Sequence, residues 1–486
     1  MKKQWIISIA ALLVIILGAW FFWPKNQDSH ARVIPADATA LAELDIADFM
    51  QESDLTEDKI KKLFPKDVDL LNCGLDFQKN AFAFVDAMGM NGCLFAVEDI
   101  DLLKDFLSRN GERMAISPVE EQQGYFWSML GNSFVLGFDD EVLMIMGPTV
   151  ASAQAELRQQ MLGYLKQSKD ESVLKAPLFK KLQDQEGFLK AVASLEMFPE
   201  YYKAFQNLGL PEHVDFSKML MTVSVGAEKG RVVFRTGVVA EDKALAQKMK
   251  ALDDLSRRID GDFITSVSPN TMLWMGMNLK GDKLMKQIGE MPTLRLYLMA
   301  MNHVMDVEEM IRHIDGDVSL AATMEGEPVF QVQAQMANFS FMDEVDYWIA
   351  SAKHSGAYRF DRLDEDLYRI GNVARKDLYM GLKDKNLLFT TSRGAMDELQ
   401  KGLDHDLLVP YREDIKESKF YIWANLGSLN SALQSFGVSD DDPEMQQVEK
   451  FFGKFNAVAL RSTNATSIDL IFYMKDKERG LKQLFE

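Results

Sequence analysis

The stretch MNHVMDVEEMIRHIDGD (residues 301–317) carries the densest set of side chains able to move a proton or hold a metal ion. Six histidines occur in the chain, at 30, 213, 303, 313, 354 and 405, and two of them fall here. Read as a helix through His313, the stretch puts His303, Asp306, Met310 and His313 on one side. His303 and His313 are ten residues apart, about 15 Å along a helix axis, too far to share one ion. The closer set is His313, Asp315 and Asp317, where the helix runs out into Ile314-Asp315-Gly316-Asp317. An imidazole beside two carboxylates is the equipment of a metal- or carboxylate-dependent hydrolase. A plainer account exists: a histidine at a helix C-terminus is favoured by the helix dipole, and Asp-Gly then turns the chain into a strand. The corresponding stretch of the first half, LNCGLDF (71–77), has no histidine, so such a site would belong to the second half alone.

Other chemistry is sparse. There is no G-x-S-x-G elbow, no Walker loop and no G-x-G-x-x-G, and neither cysteine stands near a histidine. No cofactor is expected. The remaining histidines, at 30, 213, 354 and 405, sit alone in polar or turn-like surroundings and read as surface residues. Methionine is abundant at 29 residues, clustered in VLMIMG, MLWMGMN and YLMAMNHVM. Thioethers can hold Cu(I), but here they alternate along strands or repeat along a helix, as core gap-fillers do. Cys73 and Cys93 match no zinc spacing. A hairpin turning near Met88–Gly92 would separate them, leaving two buried free thiols. The acidic run SDDDPE (439–444) suits a helix N-terminus, with Asp442 as N-cap and Pro443 at the first turn, better than a calcium loop. RFDRLDEDLYR (359–369) alternates in sign and looks like a solvated loop leading to a strand.

The 486 residues carry a net charge of −19, with 47% hydrophobic and 26% charged side chains. That is a globular composition, long enough for two or three domains. Its acidity argues against nucleic acid as a partner, since phosphate binding needs clustered Lys and Arg. The same acidity argues against lying flat on an anionic lipid surface.

The N-terminus is the most informative segment. Nineteen consecutive residues from Trp5 to Trp23 carry no charge. As a helix they span about 28 Å, close to the thickness of a bilayer core. Trp5 at one end and Trp20 and Trp23 at the other suit the two interfaces, and Pro24 ends the helix. Ser29-His30-Ala31 resembles a signal-peptide cleavage site, but the apolar run is longer than a signal core and ends in bulky aromatics. We therefore expect an uncleaved transmembrane anchor over 5–23 whose partner is the lipid bilayer. Lys2 and Lys3 are balanced by Lys25 and Arg32. The four-residue tail favours an N-terminus in the cytoplasm and a body outside it, in the periplasm.

The body states its pattern twice. IPADATALAELDI (34–46) and SPNTMLWMGMNL (268–279) share a proline, small or polar residues, and then an alternating apolar run. Four further blocks follow in the same order in each half. The clearest pair is YFWSMLGNSFVLGFDDEVLMIMGP (125–148) against YRIGNVARKDLYMGLKDKNLLFTTS (368–392). An offset of roughly 230–245 residues lies far above solenoid periods. We expect a tandem duplication of an α+β unit of about 220 residues, twisted antiparallel sheet with helices on one face. The divisions are a tail (1–4), the anchor (5–23), a linker (24–32), a first repeat (33–255) and a second repeat (256–486), joined by the charged connector SRRIDGD (256–262).

IPADATALAELDI followed by a polar helix resembles the first strand of an uncharacterised family of Bacteroidota cell-envelope proteins, known as a domain of unknown function. The resemblance extends over most of residues 33–486 in length and succession of blocks. Members are often lipoproteins, whereas this chain has no cysteine near its apolar N-terminal segment. The resemblance implies an envelope location and supplies no catalytic residues. The expectation is a membrane-anchored binding or scaffold protein holding an envelope protein or glycan. The alternatives are a hydrolase around His313, Asp315 and Asp317, or metal trafficking through methionines.

Overall fold

The computed structural model describes residues 29–485 except 57–58, 60–71, 200–214, 229, 241–245, 248–249, 251–252, 290–294, 297, 300–301, 303–304, 326, 372–376 and 429–450. The anchor expected over 5–23, with Trp5, Trp20 and Trp23, lies outside these residues. So do His213, His303 and the 439–444 cap. Among the described residues no helix is long and apolar enough to cross a membrane. The chain divides into two compact units. Unit 1 comprises residues 1–202, 215–241 and 476–486, and unit 2 comprises 203–214 and 242–475.

Unit 1 contains β1 (Ala40–Leu44), β2 (Ala81–Val85), β3 (Asn91–Ala96), β4 (Glu120–Gln122), β5 (Tyr125–Leu130), β6 (Phe134–Phe138), β7 (Val142–Met146), β8 (Leu189–Ser194), β9 (Met219–Glu228) and β10 (Arg231–Ala240). All neighbours pair antiparallel, in the order β4-β5-β6-β7-β3-β2-β1-β8-β9-β10. Its principal helices are α1 (Ile46–Ser53), α2 (Ile100–Arg109), α3 (Gln154–Lys166) and α4 (Pro177–Gln183). Short connections force antiparallel neighbours. The β2–β3 turn is held by Asp86, whose carboxylate accepts from the backbone N–H of Met88 at 2.9 Å and of Met90 at 2.8 Å. Asp45 ends β1 and caps α1 by accepting from Asp48 N–H at 2.9 Å.

Unit 2 contains β11 (Thr271–Lys280), β12 (Ile314–Glu325), β13 (Glu327–Met336), β14 (Arg359–Asp364), β15 (Leu367–Gly371), β16 (Leu378–Lys383), β17 (Asn386–Thr390), β18 (Phe420–Asn425), β19 (Phe455–Asn464) and β20 (Ser467–Met474). Their order is β14-β15-β16-β17-β13-β12-β11-β18-β19-β20, again antiparallel throughout. Position by position it repeats the order of unit 1. The helices are α5 (Gly281–Gly289), α6 (Val307–Arg312), α7 (Val345–Ser355), α8 (Arg393–Lys401) and α9 (Arg412–Glu417).

Several expectations need correction. Helices cover both faces of the sheets, not one. In β7 every residue is buried, with Val142, Met144 and Met146 packing on α3 and α4 and Leu143 and Ile145 packing on α1 and α2. A strand apolar on both sides needs cover on both sides. In unit 2, α6 and α7 lie on one face and α8 on the other. Residues 359–364, expected as a loop, form the outermost strand β14, whose alternating charges shield its open edge from pairing. Neither cysteine forms a disulfide; Cys73 is buried and Cys93 half-buried, and burial pushes the Cys93 thiol up to about 12. His30, expected at the surface, is buried in unit 1 against Phe82.

Candidate functional site

His313, Asp315 and Asp317 are not gathered around a common point. His313 caps α6, where its Nδ1 donates to the Glu309 carbonyl at 2.8 Å and its Nε2 accepts from the Ser340 hydroxyl at 3.0 Å. Asp315 turns to Arg257, at 2.5 Å. Asp317 is 2% exposed. Its Oδ1 accepts from Asp260 N–H at 2.9 Å and from the Asn278 amide at 2.9 Å. Its Oδ2 accepts from Gly261 N–H at 2.7 Å and Asp262 N–H at 3.1 Å. Four N–H donors thus converge on one buried carboxylate, which offsets the cost of burying its charge. Asp315-Gly316 is no turn. It lies inside β12 at an irregularity between Ile314 and Val318, and Gly316, at φ +148°, leaves room for the Gln335 side chain. Among the described residues no three His, Cys, Asp or Glu side chains form a metal-sized cluster.

What Asp317 does is hold a strap. Residues 258–268 run without strand or helix along the sheet, with Ile259, Phe263, Ile264 and Val267 buried. Gln333 accepts from the Ser266 hydroxyl at 2.9 Å and donates to the Ser266 carbonyl at 2.9 Å. Arg257 donates to Asn278 Oδ1 at 2.8 Å. The connector SRRIDGD is therefore stapled to unit 2, while Arg257, Arg258, Asp260 and Asp262 remain exposed.

The strap lies over a polar sheet face. Across β18, β11, β12, β13 and β17 one row runs Tyr421, Gly276, Ser319, Gln333, Leu388, and the next Trp423, Trp274, Ala321, Gln331, Thr390. The same rows in unit 1 read Lys190, Glu43, Phe82, Leu94, Met144 and Val192, Leu41, Phe84, Gly92, Met146. Unit 1 is apolar there except for Glu43 and Lys190; the buried Glu43 carboxylate meets the Lys190 ammonium at 2.8 Å and accepts from the Asn80 amide at 2.9 Å. Unit 2 replaces phenylalanines by serine and alanine and fills the space with two tryptophans.

Beyond the tryptophans lies a buried charged network. Arg461 reaches Asp469 at 2.7 Å and Asp414 at 3.0 Å. The Tyr473 hydroxyl donates to Asp414 at 2.6 Å and accepts from the Tyr421 hydroxyl at 2.8 Å. Burial first, and then the neighbouring Tyr421 and Asp414, raise Tyr473 well above the ordinary tyrosine value. Every member is bonded, so the network behaves as a fixed core element. None of its members was singled out from sequence, because Asp414, Arg461 and Tyr473 are remote along the chain.

The opposite face of these strands is apolar, with three exposed side chains among mostly half-buried ones. One row reads Val332, Leu320, Met275, Ile422, Leu460, Leu470, and the next Phe330, Ala322, Leu273, Ala424, Val458, Phe472. No charged side chain occurs among the twelve. Leu273 is 37% exposed, Phe330 49% and Leu470 37%. The signal was present in MLWMGMN, where both alternating sets are apolar, but sequence alone does not say which set stays uncovered.

Comparison with known proteins adds little on activity. No curated protein matches the chain. Two solved structures are similar over half of it. Crystal form I of TP0453 matches at 8% identity and a TM-score of 0.26, covering 49% of this chain and 91% of that one. Crystal form IV matches at 10% identity and a TM-score of 0.28, covering 48% and 88%. Likenesses this low carry no argument about fold or function. Residues 68–480 match a family directly, and the chain belongs to the family described as a domain of unknown function, DUF4836.

Proposed function

We propose that the chain is a membrane-anchored extracytoplasmic binding or scaffold protein of the cell envelope, built by tandem duplication of an α+β unit of about 220 residues. Residues 5–23 hold it in the bilayer, with Trp5, Trp20 and Trp23 at the interfaces and the body outside the cytoplasm. The observation that carries the reading is the two-row apolar face on β11–β13 and β18–β20, which bears exposed Leu273, Phe330 and Leu470 and no charge. An accessible apolar patch of that kind marks a surface made for a partner. The matching strand order of the two units favours the duplication. The divergence of their inner faces favours a specialised second copy.

A cross-linking pull-down from native membranes tests the reading, with the full chain as bait and a form lacking residues 1–28 beside it. One envelope component captured by the full chain and not by the shortened form is the expected result. Capture of nothing by either form would contradict it.

A further inference from the structure

Five oxidisable rings lie together in unit 2, and one of them is bonded to a base. Trp274 on β11 and Tyr421 on β18 have ring centres 6.5 Å apart. The Tyr421 and Tyr473 hydroxyl oxygens are 2.8 Å apart. Tyr411, just before α9, stands edge-on to Tyr473 at 4.7 Å and lies 5.6 Å from the Trp423 ring. Trp274, Trp423, Tyr421 and Tyr473 are buried, while Tyr411 is half-buried and connects the set to the surface. The fold itself does not require such rings. In unit 1 the positions of Tyr421, Trp274 and Trp423 are held by Lys190, Leu41 and Val192.

A phenol gives up an electron readily only when its proton leaves as well, because the oxidised phenol is a very strong acid. Tyr473 is equipped for that. Its hydroxyl donates to the Asp414 carboxylate at 2.6 Å, within reach of direct proton transfer. Burial, which raises the Tyr473 hydroxyl far above the ordinary tyrosine value, keeps the proton in place until then. Asp414 and Asp469 share the Arg461 guanidinium, at 3.0 Å and 2.7 Å. Two carboxylates beside one cation hold surplus negative charge, which a proton on Asp414 relieves. The Tyr421 hydroxyl still donates to the Tyr473 oxygen afterwards, and the bonded network need not rearrange. Tyr164 of unit 1 provides the contrast. It too donates to a buried carboxylate, Asp86, at 3.1 Å, but it packs against Phe84, a ring far harder to oxidise.

We propose that Tyr411, Tyr473 and Tyr421, flanked by Trp274 and Trp423, form a one-electron oxidation path whose radical comes to rest on Tyr473. The substrate class is a one-electron oxidant, such as the carbonate radical, that meets Tyr411 at the surface. The oxidant gains one electron through the Tyr411 ring, which ends unchanged. Tyr473 loses that electron, its O–H bond breaks, and the proton passes to the Asp414 carboxylate. A neutral phenoxyl and a carboxylic acid remain. This activity does not depend on the binding reading above.

The test uses the full chain in phosphatidylcholine nanodiscs, with Glu413→Cys, an exposed position two residues from Tyr411, carrying a ruthenium tris-bipyridine label. Cys73 is buried and burial pushes the Cys93 thiol up to about 12, so the label goes to the new cysteine. A light flash with a cobalt(III) ammine as electron acceptor generates Ru(III), the oxidant. One neutral tyrosyl radical should follow, read by transient absorption and electron paramagnetic resonance. Tyr473→Phe should lower its yield at least tenfold, while Tyr164→Phe should leave it unchanged. In D2O the radical should form at least twofold more slowly, since proton and electron leave together. Tyr421→Phe should keep the radical and raise its largest g value, because the phenoxyl oxygen loses a hydrogen bond. Circular dichroism checks that each variant folds, and the isotope effect in the labelled native background stands without any of them. An undiminished yield in Tyr473→Phe, a spectrum indifferent to Tyr421→Phe, no isotope effect, or no tyrosyl radical at all would overturn the inference.

Discussion

Asn278 on β11 stands directly opposite Asp317 on β12, and its amide donates to the Asp317 carboxylate at 2.9 Å. The equivalent positions in unit 1 are Asp45 and Asn80, one step beyond the Leu44–Ala81 pair. Acid and amide have thus changed strands between the units. In unit 1 the acid caps α1, while in unit 2 it sits on the neighbouring strand and holds the strap.

Asp317→Ala removes the acceptor of four N–H groups. Leaving the buried Asn278 amide and three part-buried N–H groups without this acceptor costs about 1–3 kcal/mol. Urea denaturation should show a lower midpoint with an unchanged slope. A loss below about 1 kcal/mol would mean that water replaces the carboxylate freely. Because N–H donors fill both oxygens, Zn2+ should leave the melting temperature of the native chain unaltered. A Zn2+-dependent rise abolished by His313→Ala would restore the metal reading.

Arg461→Met strands Asp414 and Asp469 without their shared cation. Breaking a buried pair in this way costs roughly 3–5 kcal/mol. Arg461→Lys should recover little, since a point charge cannot bond both carboxylates as the planar guanidinium does. Denaturation of both variants decides the matter, and equal stability of Arg461→Lys and the native chain would refute the assigned role.

His30 makes unit 1 sensitive to acid. Its Nε2 donates to the Asn80 carbonyl at 2.7 Å, its Nδ1 has no partner, and burial lowers its pKa from 6.5 to about 4. A lowered folded value means that the unfolded chain takes the proton first. The contribution is complete above pH 6.5 and is lost as pH falls towards 4, by about 3 kcal/mol in all. Relative to the native chain, His30→Leu should lose less stability over that window. Parallel pH profiles for the two would contradict this.

Much of this architecture was legible in the sequence, and the reasons are local. Strand pairs such as 125–130 with 134–138 announce themselves by apolar runs and Gly- or Asp-containing turns. Asp99 and Ser392 mark helix starts by capping them. Three things were not legible. Helices on both faces depend on which apolar set is covered, as VLMIM of β7 illustrates. The burial of His30 depends on Phe82 and Asn80, some fifty residues away. The role of Asp317 depends on backbone N–H groups more than fifty residues earlier, which side-chain spacing does not encode.

Gly276 tests the packing that distinguishes the second unit. A Cβ built there would stand 2.2 Å from the Trp274 ring on the same strand. Gly276→Ala should therefore displace the indole and cost about 1–3 kcal/mol, with a red shift in tryptophan emission. Gly163→Ala, at an open helical position of unit 1, should be neutral or stabilising. An unshifted emission spectrum for Gly276→Ala would contradict the packing described.

Site-specific photo-cross-linking in native membranes tests the central claim most directly. A benzophenone side chain is placed at Phe330, on the apolar face, or at Met88, an exposed loop position of unit 1 that is 70% accessible. Illumination should give one discrete protein adduct from position 330 that disappears in Leu273→Asp, and none from position 88. The same adducts from both positions, or an adduct from 330 indifferent to Leu273→Asp, would contradict the claim that this face is the binding surface.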